Sequence, residues 1–277
     1  MHTVLAMEGS RTLNMTIAVM SYAARYVTVT VVLLFIAVAP AKSQTPESNH
    51  EIEVRGVLSI PSGEASFSAT GASGSVISFS QDFDFRNELG FELRYTHRTT
   101  GGKHKLQAGY SQTTWNRNTT LSRSFTFRGE TFEANLNASG DLRLSNFRAM
   151  YAYRWGNEKF RIGPMADMGV ISTRLNINAA TNNGTRSGSG SITKFAATVG
   201  YDLDYDPMPR VNVFNNLGAI AFMGERLFHV EGGVRVFATR NFGFSGGYKF
   251  ERYRVEDEPD FLKISAHGPF FGGVFRF

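Results

Sequence analysis

His229 and Glu231 lie two residues apart, and Glu251 follows twenty residues later across a short polar stretch at 238–241. If the segments on both sides are extended and pair as a hairpin, His229 comes opposite Lys249 or Glu251. Glu231 then comes opposite Gly247 or Lys249. An imidazole flanked by carboxylates is the material of general acid–base chemistry, so these three are the candidate catalytic residues. Asp202 and Asp204 form a second carboxylate pair. Glu53 with Arg55, and Glu92 with Arg94, also stand two apart, and Arg148 is placed near Asp167 by the stretch at 155–158. Arg235 and Lys249 belong to the same class. Side chains two apart on a strand share a face, so these charges line one side of the chain. Charges enclosed there need partners, and the set reads first as an ion-pair network and only second as an active site. No metal-ligand spacing, phosphate-binding glycine loop or cofactor motif occurs, and no metal or cofactor is expected.

The elements that carry these residues are strands. Period-2 alternation of apolar and polar residues runs through 52–60, 88–98, 105–115, 142–155, 160–173, 192–205, 211–221, 227–237, 242–254 and 261–277. Leu89, Phe91, Leu93 and Tyr95 share one face, and Glu92, Arg94, Thr96 and Arg98 the other. Within 142–155, Leu142 and Leu144 fall on the opposite parity from Phe147, Tyr151 and Tyr153, which predicts a β-bulge or loop boundary near Ser145. Short polar turns near 99–102, 155–158, 206–209 and 238–241 alternate with longer connections near 61–86, 116–141, 174–191, 222–226 and 255–260. The run from Asn182 to Gly190 is read as a flexible loop. Ten strands result. Eight or twelve stay open, because 76–85 and 124–132 are themselves strand-like.

Strands of about 10 residues match a tilted bilayer crossing, and short turns alternating with longer loops are the layout of membrane barrels. Aromatics (Tyr153, Trp155, Phe160, Tyr205, Phe237 and Phe242) border the apolar face at the short-turn end. The last strand carries Phe271, Phe275 and Phe277 on one side, and the sequence as given stops on Phe277. That ending resembles the carboxy-terminal signature of Gram-negative outer-membrane β-barrels. The resemblance implies an all-β antiparallel transmembrane barrel in the outer membrane, with outer-membrane lipid and the barrel assembly machinery as partners, the latter reached through the last strand. Phe127-Arg128-Gly129-Glu130-Thr131-Phe132 further resembles a loop hairpin of an uncharacterised family of small proteobacterial barrels.

Residues 27–39 are a 13-residue apolar run after Arg25. They are too short for a membrane-spanning helix and suit a signal peptide. Cleavage is expected between Ser43 and Gln44, or after Ala41, and Met20 could be the true start. A polar linker over 44–50 and a barrel over 51–277 complete the organisation. The net charge of +5 falls to +3 without residues 1–43, and the basic residues form no run. Nucleic-acid binding is disfavoured. The absence of cysteine excludes thiol chemistry and disulfides.

The expected role is that of an integral outer-membrane barrel with a charge-filled lumen, structural or surface-interacting through its outer loops, and monomeric. A small-solute, porin-like channel is the alternative. A less favoured one is an outer-membrane hydrolase, omptin-like or lipid A-modifying, using His229, Glu231 and Glu251 near the outer rim. A soluble ligand-binding barrel is the last.

Overall fold

The computed structural model describes residues 50–277, apart from 70–72, 182–183, 223–224 and 258. The expected signal peptide, its Ser43/Gln44 cut and nearly all of the linker lie outside the described residues.

Ten long antiparallel strands form one closed ring: β1 (His50–Ser66), β2 (Glu88–Arg98), β3 (His104–Thr120), β4 (Asn137–Tyr153), β5 (Phe160–Thr181), β6 (Gly184–Met208), β7 (Val211–Phe222), β8 (Glu225–Phe237), β9 (Phe242–Asp257) and β10 (Asp260–Arg276). Each pairs with its sequence neighbours. β10 returns to β1 in register from Glu51↔Arg276 to Ser66↔Phe261. Closure pairs every strand of the lower ring with two neighbours, as a sheet in hydrocarbon requires.

The lower part of the ring has an apolar exterior. Leu89, Phe195, Val199 and Phe271 are each more than 60% exposed. The expected outward faces of β2, β3, β5, β6 and β10 are those observed. An aromatic and histidine girdle rims the short-turn end. His50 and His104 hydrogen-bond Tyr95 and Tyr151 there, and Phe277 stacks on His50. Phe237 departs from expectation: it is buried, under the Arg276 guanidinium.

Above this belt the barrel reverses its polarity. The strands continue upward, unevenly: β5 and β6 run 22 and 25 residues, β7 and β8 only 12 and 13. The connections 67–87 and 121–136 fold inward. Phe67, Phe79, Phe83, Phe125, Phe127 and Phe132 meet Trp115, Leu142, Leu144, Leu175 and Ile177 of the walls in one packed core. A hairpin of three residues per arm, Phe125↔Phe132 to Phe127↔Glu130, presents three of these rings. Its turn uses Arg128 and Gly129, both at positive φ, where glycine costs least.

Two expectations fail here for one reason. No bulge or boundary occurs at Ser145, which pairs in unbroken register with Gln112 and Ser172. Leu142 and Leu144 point into the core while Phe147, on the other parity, points outward to lipid. The register shift in the sheet falls instead between Tyr205 and Met208. The supposed flexible loop at 182–190 is strand from Gly184 onward, paired with β5 through Thr181. Gly188 and Gly190 face inward, and a Cβ on either would fall 2.6 or 2.5 Å from the rings of Phe127 and Phe67.

Candidate functional site

Below the aromatic core the bore is filled with charge. At the short-turn end Arg154 bonds Asp204 and lies 3.4 Å from Asp202, and Lys105 Nζ donates to Asp202 at 2.7 Å. Arg98, Arg276 and Arg235 converge on Glu51 at 3.2, 3.0 and 3.4 Å. Arg235 continues to Glu53 at 3.3 Å, and its guanidinium lies over the Phe214 ring. Arg55 bridges Glu53 and Glu231, each at 2.7 Å, and stacks on Phe270. Arg94 reaches Glu231 at 2.7 Å and bonds Glu92. Lys249 spans Glu92 and Glu251 at 3.1 Å each.

The uppermost rung holds His229. Arg148 bonds Asp167 at 2.5 Å, and its guanidinium donates to His229 Nε2 at 2.7 Å. An arginine can only donate, so Nε2 is the acceptor and cannot also donate to Asp167, 3.4 Å away. Glu251 lies 3.8 Å from Arg148. Asn146 Nδ2 donates to the Tyr253 hydroxyl at 3.0 Å and joins the lattice to the apolar core.

Every lumen residue expected from sequence therefore sits in the bore, and the local pairings are those expected: His229↔Glu251 and Glu231↔Lys249 in register, Arg148 with Asp167. The candidate catalytic trio is not brought together as an acid–base site. Glu231 is held by Arg55 and Arg94, Glu251 by Lys249, and His229 is capped by Arg148. Nor does His229 stand at an open outer rim. Ile171, Leu227 and Tyr253 line the space around it and belong to or pack against the aromatic core. The void left beside Glu92, Arg94, Asn146 and Asn216 is about 30 Å³, room for a water or two.

Glu51, Arg98, Lys105, Arg154 and Arg276 were missed as lattice members. Each lies on the parity opposite its strand's lipid-facing side chains, and that signal was available. The cross-bore contacts, such as Arg55 and Arg94 of β1 and β2 with Glu231 of β8, have no counterpart in local spacing. Phe214 and Phe270 also face inward, under Arg235 and Arg55.

No family model and no curated protein matches the chain. Among solved structures, the outer-membrane protease OmpT from Escherichia coli superposes with a TM-score of 0.53 at 11% identity, over 86% of this chain and 99% of that one. The translocator domain of the autotransporter NalP from Neisseria meningitidis gives 0.46 at 8%, over 95% and 98%. The attachment invasion locus protein Ail of Yersinia pestis gives 0.37 at 12%, over 83% and 99%. At such identities the likeness is one of fold, and OmpT carries it. The fold is that of a Gram-negative outer-membrane β-barrel, and the exposed apolar belt suits the bilayer that such barrels occupy.

Proposed function

We propose that this outer-membrane barrel is a sealed scaffold whose working surface is its extracellular end. The observation that carries the reading is the double filling of the bore: an ion-pair lattice at belt height, then an aromatic core built from the 67–87 and 121–136 connections. A solute would have to displace both. Unpairing even one buried ion pair costs several kcal/mol, so the porin-like alternative has no support in the geometry. The hydrolase alternative needs a free base and a path to it, and His229 has neither.

The surface left for function is the tall β5–β6 ledge. From Gly184 to Thr198, β6 pairs with β5, and its pairing with β7 begins at Val199. Among the described residues no strand covers that other edge. Unpaired backbone N–H and C=O groups accept an added strand, and the exposed Thr185, Ser187, Ser189 and Ser191 keep the ledge soluble. We assign the assembly signal to β10, with Phe271, Phe275 and Phe277 outward, and take the working unit to be one barrel in lipid. Planar-bilayer recording tests the seal: the full chain should give no steady open-channel current, and a stable unitary conductance overturns the reading. Cells displaying the full chain should capture an extended strand-forming peptide that cells displaying a chain with the β5–β6 hairpin cut back to belt height do not.

A further inference from the structure

Four neighbouring strands, β3 to β6, stack their outward side chains in level rows. The topmost apolar row is Tyr110, Phe147, Val170 and Phe195, all at least 40% exposed. The next row up is Gln112, Ser145, Ser172 and Thr193. The row above that is Thr114, Arg143, Arg174 and Ser191. Arg143 and Arg174 are thus directly opposite each other on adjacent strands, and both are exposed. Like charges so placed destabilise a sheet. Among the described residues no carboxylate lies within ion-pair distance of either. The nearest acid by register, Asp141 in the row above, accepts from Asn176 at 3.2 Å.

The opposite wall shows that the pattern is not generic. There Arg226, Arg254 and Lys263 also stand in one row. Arg254 is neutralised by Glu256 at 2.7 Å and Lys263 by Glu64 at 2.5 Å. Among the described residues, Arg143 and Arg174 have no such acid beside them. Two outward steps along a strand are about 13 Å, or roughly 10 Å of height at barrel tilt. That puts both guanidinium groups where the phosphates of the outer leaflet lie.

We propose that Arg143 and Arg174, flanked by the hydroxyls of Thr114 and Ser191, clamp the phosphate of an outer-leaflet lipid whose acyl chains run down over Phe147, Val170 and Phe195. Guanidinium groups bind phosphate oxygens in a bidentate manner, which a phosphomonoester rewards most. The bound lipid removes the repulsion that the bare pair carries.

The test titrates phosphatidic acid into the full-length chain in neutral detergent and follows the thermal midpoint. The wild type and R254Q should rise together, while R143Q/R174Q should show an affinity weakened by about tenfold or more. Phosphatidylcholine or inorganic phosphate should leave the wild type unmoved. Retained heat-modifiable gel mobility confirms that the double variant is folded, and R174Q alone serves if it is not. In detergent without lipid, removing the charges should leave stability equal or higher. An equal response of wild type and variant, no response of the wild type, or the full shift with inorganic phosphate alone each overturns the clamp.

Discussion

Along β6 the two faces trade chemistry half-way. Near its outer end Thr185, Ser187, Ser189, Ser191 and Thr193 face out, while Gly188, Gly190 and Ile192 face in. From Phe195 downward the outward residues are Phe195, Ala197, Val199 and Tyr201, and the inward ones include Asp202 and Asp204. Neither the parity nor the pairing with β5 changes anywhere between. The upper half is built like a soluble protein, with its greasy side shielded by its own loops. The lower half is built inside-out, with lipid outside and paired charge within. One backbone serves two solvents, and the side chains alone record where the boundary falls.

The sharpest break in this comparison is at Glu231. It joins Arg55 and Arg94 across the bore at 2.7 Å, so Glu231→Ala takes a shared carboxylate from two buried cations and leaves them Glu53 and Glu92 alone. The expected loss is about 3–5 kcal/mol of unfolding free energy, read by urea titration in vesicles. The aromatic core shares no partner with Glu231, so near-ultraviolet dichroism of the core should hold until the whole barrel unfolds. A loss below about 1 kcal/mol would mean that water already screens the lattice.

Val199→Arg probes the other solvent. Val199 is 65% exposed in the middle of the belt. A cation there faces hydrocarbon and should cost about 2–4 kcal/mol. The same cation at Ser187, twelve residues higher on the same face and opposite Asn178, should cost almost nothing. Equal effects at the two sites would erase the boundary drawn between the halves.

How much of this was legible follows from that boundary. In the belt, period-2 alternation and short turns pinned the register, so the His229–Glu251 and Arg148–Asp167 neighbours could be read from spacing. The closing partners of Arg55 and Arg94 could not, because opposite walls of a barrel share no local sequence relation. Above the belt the alternation persisted with its polarity reversed. Leu142 and Leu144 therefore imitated a bulge, and Gly188 and Gly190 imitated a loop. Trp115 and Phe127 gave no warning either, since an aromatic on a strand can face lipid or core equally well.

Gly190→Ala separates these explanations at the upper half. A Cβ built there meets Phe67 Cγ at 2.5 Å, inside any van der Waals contact, so the ring must shift within a packed core. Overpacking of this kind costs about 1–3 kcal/mol, and the damage should stay local. Protease cleavage within 67–87 should accelerate while urea unfolding of the belt changes less. Had this stretch been a flexible linker, the same substitution would have been silent or slightly stabilising, since alanine restricts the unfolded chain more than glycine does.

The mildest change sets the scale for the others. Arg254→Gln removes a 2.7 Å ion pair with Glu256 on the outer surface, where both side chains are about 40% exposed. Exposed pairs contribute about 0–1 kcal/mol and are screened by salt. Arg254 also stands opposite Arg226 and beside Lys263, so losing it relieves two like-charge contacts as it breaks one favourable pair. The two effects oppose each other, and the net change in urea midpoint should lie near zero and shrink further in high salt. A loss at Arg254 as large as that at Glu231 would mean that burial does not govern the worth of an ion pair in this barrel, and the division into a screened outer half and a sealed inner one would go with it.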